Sequence, residues 1–130
     1  GEGDKCSAVL RQAVKRKMSL MPYVLRAALE VNHKGTPIMR PMFLEFPDDF
    51  NAWGLDTQYM FGGDLLVAPV LSPEGWVRFY VPEVTSEAKW RSWFDPSKTY
   101  DGGKWVRMVS GSRCLYLANV FGTVRGNTRV

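Results

Sequence analysis

Two cysteines, one histidine and no long apolar run are what the sequence offers to three kinds of site. Cys6 and Cys114 lie 108 positions apart in no Cys-x-x-Cys arrangement, and a zinc site would lack ligands of the usual types. Buried or idle thiols are therefore expected in preference to a disulfide. No apolar stretch approaches the roughly 18 residues that a membrane-spanning helix needs, so a soluble chain without a membrane partner is expected. The opening Gly1-Glu2-Gly3-Asp4 is not a basic start to an apolar stretch, so no signal peptide is expected and the compartment stays open. The 12 glycines and 8 prolines follow no repeat period, which excludes collagen-like and low-complexity readings. There is no G-x-S-x-G, Walker loop, dinucleotide fingerprint or metal-ligand cluster, so residue types alone establish no enzyme.

What the chain does have is 130 residues, 45% of them hydrophobic and 13% aromatic, enough for a packed core. Its net charge of +4 is unevenly spread. Residues 1–40 carry eight basic and three acidic groups, residues 41–73 none and five, and residues 74–130 nine and five. Beyond Lys15-Arg16-Lys17, which reads as a solvated helix face, no basic stripe interleaves with aromatics, and no nucleic-acid partner is expected.

Between Ser7 and His33, Leu10, Val14, Met18, Met21, Leu25 and Leu29 recur at spacings of three and four, the stripe of an amphipathic helix whose buried face they predict. Pro22 lacks an N–H and clashes with the carbonyl four residues back, so a kink or restart is expected near Ser19 to Pro22. Gly35 is the natural stop. His33 and Lys34 in the last turn suit the negative end of the helix dipole, a structural reason for the one histidine.

Ile38 to Pro47 is an apolar run bounded by prolines and predicts a buried strand, with Pro41 at a missing neighbour or the strand starting at Met42. Asp48 to Gly54 reads as a loop whose Asx side chains cap a short helical stretch over Asp56 to Phe61. From Gly62 the pattern predicts strands over Leu65 to Leu71, Val77 to Val81, Trp90 to Phe94, Trp105 to Val109 and Cys114 to Val120. Ser72-Pro73-Glu74-Gly75 and Asp101-Gly102-Gly103 are the turns, the second predicting a hairpin between Tyr100 and Trp105. Trp76, Phe79, Trp90, Trp93, Phe94, Tyr100 and Trp105 fit either a sugar-stacking surface or the core of a β-sandwich, and the core is the simpler use.

Glu45, Asp48, Asp49, Asp56 and Asp64 make the middle segment acidic. A glycosidase needs two carboxyls facing each other across a bond at about 5–9.5 Å. Asp48 and Asp49 are adjacent and point opposite ways in an extended chain, and all five are explained as caps, turns or partners of the basic helix.

The order of the blocks carries more. Leu20-Met21-Pro22-Tyr23, Gly35-Thr36-Pro37-Ile38-Met39-Arg40-Pro41-Met42, Glu45-Phe46-Pro47-Asp48-Asp49, Asp56-Thr57-Gln58-Tyr59-Met60-Phe61-Gly62, Leu65-Leu66-Val67-Ala68-Pro69-Val70 and Phe79-Tyr80-Val81-Pro82 occur in that order. Together with Trp93-Phe94 and Tyr100-Asp101-Gly102-Gly103-Lys104-Trp105, they resemble glycoside hydrolase family 31, nearer its α-xylosidase branch than its α-glucosidase branch.

The resemblance implies an α/β plus all-β fold, the last part of a (β/α)8 TIM barrel followed by an incomplete antiparallel β-sandwich. Residues 1–64 would be the C-terminal portion of the barrel and residues 65–130 the proximal, truncated β-sandwich domain. It implies a retaining α-glycosidase that hydrolyses terminal α-linked xylose or glucose from oligosaccharides, with one aspartate as nucleophile and another as acid and base. Family members run to several hundred residues, so a fragment or truncated product is expected, inactive alone. The family's two catalytic aspartates lie in upstream motifs with no counterpart here. No catalytic, cofactor-binding or metal-ligating residue is carried onto this chain, and no metal or organic cofactor is implied. Arg40 and Glu45 would support the sheet through ion pairs or hydrogen bonds.

The departures from the family cluster after Val81. Pro82 to Trp90 reads as a lengthened connection, and in Cys114 to Val130 only Val124-Arg125-Gly126-Asn127-Thr128 is similar to the family strand. An open sheet edge and uncovered barrel-facing apolar surface leave self-association open. The alternative reading is a non-catalytic carbohydrate-binding or interaction module.

Overall fold

Pro22 divides the N-terminal helical run where its missing N–H predicts. In the computed structural model, which describes residues 1–84, 89–93, 95–109 and 120–125, helix α1 spans Glu2–Ser19 and α2 spans Met21–Lys34. The Ser19 hydroxyl donates to the Arg16 carbonyl, and the Leu20 N–H reaches the carbonyls of both Arg16 and Lys17, so α1 closes on itself before Pro22 enters the first turn of α2. There a proline costs no hydrogen bond. Gly35 ends α2 in the left-handed region at φ 66°, its N–H bonded to the Val31 carbonyl, with His33 and Lys34 in the last turn. No helix among the described residues is long and apolar enough to cross a membrane.

The expected buried face of these helices is corrected. Leu10, Val14, Met18, Met21, Leu25 and Leu29 are 37–63% exposed. Helix α2 packs through the opposite face instead, where Tyr23 and Ala27 are buried one turn apart. The stripe is real as a pattern, but none of the described elements covers it.

Strand β1 is only Met39–Pro41, and the strand predicted over Ile38 to Pro47 gives way to a helical turn α3, Met42–Glu45. Pro41 is the reason: it sits at φ −60° and ψ 150° as the cap of that turn and ends the ladder. A 3-10 turn covers Phe50–Ala52, capped by the Asp49 carboxylate accepting from the Asn51 N–H at 3.0 Å. The helix expected over Asp56 to Phe61 is not there. Tyr59–Phe61 is strand β2, held between β1 and β3 by the registers Arg40↔Met60 and Met60↔Leu66. A three-residue strand with a partner on each side satisfies its backbone groups better than an isolated helical turn would.

The remaining strands are β3 (Leu65–Pro69), β4 (Trp76–Val81), β5 (Trp90–Ser92), β6 (Thr99–Tyr100), β7 (Lys104–Val109) and β8 (Val120–Arg125). They form a six-stranded sheet in the order β1-β2-β3-β8-β5-β6 and a two-stranded sheet β4-β7, with every pairing antiparallel. From Met39 onward the described chain is thus mostly β strands in small sheets, consistent with a β-sandwich. The predicted strands at Leu65, Val77, Trp90 and Trp105 fall on β3, β4, β5 and β7. The segment predicted at Cys114 to Val120 lies outside the described residues except for its last position, where β8 begins. The Asp101-Gly102-Gly103 turn is not a hairpin, because β6 pairs with β5 and β7 pairs with β4, so the turn carries the chain from one sheet to the other. Its geometry requires glycine: a Cβ at Gly102 would lie 2.6 Å from the Pro82 carbonyl oxygen.

The core lies between the sheets. Met60, Leu66, Ala68 and Trp90 of the larger sheet meet Val77, Phe79 and Val81 of the smaller one. Each large side chain so buried is worth roughly 1.5–3 kcal/mol. On the other face of β3, Leu65 packs with Tyr23 of α2, together with Leu20, Phe61 and Trp93. Strand β3 is therefore sandwiched between α2 and the second sheet, which explains why Leu65 to Ala68 are buried without alternation.

Candidate functional site

The five carboxylates of the acidic segment are dispersed into separate tasks. Glu45 accepts from Arg40 Nη1 at 3.0 Å. Asp49 caps the 3-10 turn and its other oxygen accepts from the Tyr80 hydroxyl at 2.8 Å. Asp64 bonds through its backbone, its N–H donating to the Tyr23 hydroxyl at 3.1 Å. Asp48 and Asp56 are exposed. Among the described residues no group of three His, Cys, Asp or Glu could hold a metal ion. Cys6 is disulfide-bonded, which corrects the expectation of an idle thiol there, and Cys114 lies outside the described residues.

Arg40 is the most connected of the residues singled out from sequence. Only 5% exposed, it donates through Nε to the Pro37 carbonyl at 2.8 Å and through Nη1 to Glu45, and its Nη2 stands 3.7 Å from Glu30 of α2. One guanidinium thus joins α2, β1 and α3, a use for which its rigid fork is suited and a lysine is not. The expected supporting ion pair of Arg40 and Glu45 is present.

Three further anchors were not read from sequence. Tyr23 reaches from α2 to the β2–β3 turn, its hydroxyl donating to the Phe61 carbonyl at 2.6 Å while accepting from Asp64. Burial pushes its pKa up, opposed in part by the backbone bond from Asp64. Gln58 brackets the backbone of Tyr80 on β4: its Nε2 donates to the Tyr80 carbonyl and its Oε1 accepts from the Tyr80 N–H, both at 2.7 Å. A side-chain amide thereby fills a place where a strand neighbour would pair. The Tyr80 hydroxyl, buried and bonded to Asp49, is pushed up to about 12, chiefly by burial. Tyr23 lay within a quoted block, and Gln58 within another, but nothing local says which distant backbone each will bond.

The aromatic residues divide between the two uses considered for them. Phe79 and Trp90 are in the core, with Trp90 Nε1 donating to the Pro82 carbonyl at 2.9 Å. Trp93 and Tyr100 are half-buried, and Phe94 lies outside the described residues. Trp76 and Trp105 are exposed on the outer face of the β4-β7 sheet, each beneath an arginine: Arg107 over Trp76 at 5.0 Å and Arg78 over Trp105 at 4.6 Å. The candidate functional surface of this chain is therefore that outer face, while Arg40, Gln58 and Tyr23 hold the frame behind it.

Comparison with known proteins adds what the geometry leaves open. Residues 35–126, more than half of the chain, match the glycosyl hydrolase family 31 C-terminal domain. An α-xylosidase of Emericella nidulans is 57% identical over 112 residues, covering 84% of this chain and 14% of that protein. An α-xylosidase of Lactiplantibacillus pentosus is 46% identical over 97 residues, covering 72% of this chain and 12% of that protein. Among solved structures, a family 31 α-xylosidase from a soil metagenome, complexed with xylose, superposes with a TM-score of 0.80 at 30% identity over 93% of this chain and 17% of that one. The chain thus spans about a seventh of the curated relatives it matches.

Proposed function

The chain belongs to glycosyl hydrolase family 31, and from that membership we propose that it is part of a retaining α-glycosidase acting on terminal α-linked xylose or glucose. The observation that carries the reading is the 57% identity to an α-xylosidase over most of this chain. Chemistry of that class proceeds through attack of one carboxylate on the anomeric carbon and hydrolysis of the glycosyl intermediate by water, with a second carboxyl serving as acid and then base. In this reading neither carboxyl is on this chain. The dispersal of Glu45 into an ion pair, Asp49 into a cap and Asp48 and Asp56 into exposed positions, with Asp64 half-buried and apart from them in the β2–β3 turn, supports that.

The part played by this chain is structural. In this reading α1 and α2 belong to a (β/α)8 barrel and the strands from β1 onward to the β-sandwich that follows it, since β1 and β2 pair antiparallel with β3 in one sheet. The stripe from Leu10 to Leu29 is the surface on which α1 and α2 meet the rest of the barrel, since six large apolar side chains in one row have no use in water. Arg40 and Tyr23 transmit the position of α2 to the sheet.

The test is an assay of the longer polypeptide of which this chain is a part, on p-nitrophenyl α-xyloside and α-glucoside, with the first-formed anomer followed by NMR. The reading expects release from at least one of them and initial formation of the α-anomer. A β-anomer would overturn retention, and no release from either would overturn the substrate class.

A further inference from the structure

Alternation along two paired strands places Trp76, Arg78 and Tyr80 of β4 and Trp105, Arg107 and Val109 of β7 on one face, opposite to the core-facing Val77, Phe79 and Val81. In that register Arg78 stands directly opposite Arg107. Like charges so placed repel, and among the described residues neither arginine has an ion pair. Stacking on the two indoles holds the guanidiniums in place and offsets part of the repulsion without neutralising either. The indoles are covered by arginine, so the face offers guanidinium N–H groups and apolar edges in place of a flat ring for a sugar.

At the Tyr80 end this face is met by the loop from Asp48 to Asp56, for Tyr80 packs at a tilt against Trp105, ring centroids 5.4 Å apart, and bonds through its hydroxyl to Asp49. That loop has the complementary character. It lies in a stretch, residues 41–73, with five acidic groups and no basic one. Asp48 and Asp56 are exposed, Phe50 is 89% exposed, and the Trp53 ring is exposed beside Phe43. Carboxylates beside exposed aromatics are what a paired-arginine and tryptophan face would take up, since Trp and Arg are the residues that anchor protein interfaces.

We propose that the Arg78–Arg107 face docks the acidic aromatic loop of a second copy of this chain, and is docked in turn by that copy's face. Because loop and face adjoin on one surface, a two-fold axis closes both contacts at once, and the assembly stops at a dimer. This goes beyond the glycosidase reading and does not depend on it.

Sedimentation at low salt of the polypeptide that carries this chain tests it. The expected mass is twice that of the monomer. The variant Arg78→Glu/Arg107→Glu and the variant Asp48→Lys/Asp56→Lys are each expected to sediment as monomers, and their equimolar mixture as a dimer, because both contacts are then between opposite charges. A dimer that survives either variant, such as one formed through the helix stripe, would overturn the proposal, as would a mixture that stays monomeric. Circular dichroism checks that each variant folds. Should one fail to fold, the unaltered chain decides: raising the salt from about 50 to about 500 mM should weaken its dimer several-fold, because charge pairing is screened. A monomer at low salt, or a dimer indifferent to salt, would overturn the proposal.

Discussion

Gln58 and Tyr80 are 22 residues apart, yet the amide of one pairs with both backbone groups of the other as an adjoining strand would. The pair ties the segment before β2 to the C-terminal end of β4, and so the larger sheet to the smaller one. Both groups are buried, so removing the amide leaves a donor and an acceptor with no partner and no water. Gln58→Ala is expected to cost about 2–4 kcal/mol, two unsatisfied groups at about 1–3 kcal/mol each less relaxation. Gln58→Glu, which offers an acceptor and an O–H donor when protonated but acceptors alone when ionised, should cost less than Gln58→Ala below the carboxyl pKa and more above it. Urea midpoints for both variants at pH 4 and pH 7 check the order.

Arg40 gives a second test. Replacing it by methionine fills the space but takes the guanidinium N–H groups away from the Pro37 carbonyl and the Glu45 carboxylate. The expected loss is about 3 kcal/mol, in the range for breaking a buried pair. Arg40→Lys should recover little of it, because one ammonium cannot serve Pro37, Glu45 and Glu30 together. Equal stability of the lysine variant and the parent would show that the forked geometry is unimportant.

Gly62 is constrained twice. It adopts φ 66°, and a Cβ there would overlap the Tyr23 hydroxyl. Gly62→Ala should therefore destabilise by more than the ~1 kcal/mol that a left-handed alanine costs. In Gly62→Ala/Tyr23→Phe the overlap is reduced because the hydroxyl is gone, so the double variant should lose less than the sum of the two single ones. Thermal melts of the four proteins make the cycle, and strict additivity would contradict the contact.

The tyrosines set the alkaline limit. Tyr80 is raised to about 12, and Tyr23 and Tyr100 are raised as well, each chiefly by burial. For an acid whose folded pKa exceeds its unfolded value, the unfolded chain loses its proton first. The native state then holds more protons between the two values, so stability is complete below pH 10 and falls as pH rises toward 12. Denaturant midpoints from pH 8 to 11.5 should be level and then decline. Tyr80→Phe should decline less steeply above pH 10 than the parent does.

How far these features could be read in advance depends on how local their causes are. The break at Pro22, the stop at Gly35 and the strands at Val77 and Trp105 follow from one residue's dihedral limits or from a short alternation, and they lie where expected. The Ile38 to Pro47 run was misread because apolar composition does not distinguish a strand from a helical turn, and Pro41 ends one and starts the other. The Asp101 turn looked like a hairpin, but the turn residues fix only its tightness. Which sheet each arm joins is decided by partners beyond the turn, β5 for one arm and the more distant β4 for the other. The helical stripe was legible as a pattern and not as an outcome, since burial needs a second surface. In the candidate surface, Trp-Val-Arg occurs at Trp76 and again at Trp105. That repetition was visible, but only the register shows that it sets arginine against arginine.

If the chain is part of an α-glycosidase, as proposed, the reacting carboxyls lie elsewhere in the polypeptide. Incubating the purified chain with p-nitrophenyl α-xyloside, beside a blank and a heat-killed sample, tests it most directly. No release of p-nitrophenol above either control is expected. Release well above both, abolished by substituting any of Glu45, Asp48, Asp49 or Asp56, would contradict it by placing a catalytic pair within these residues.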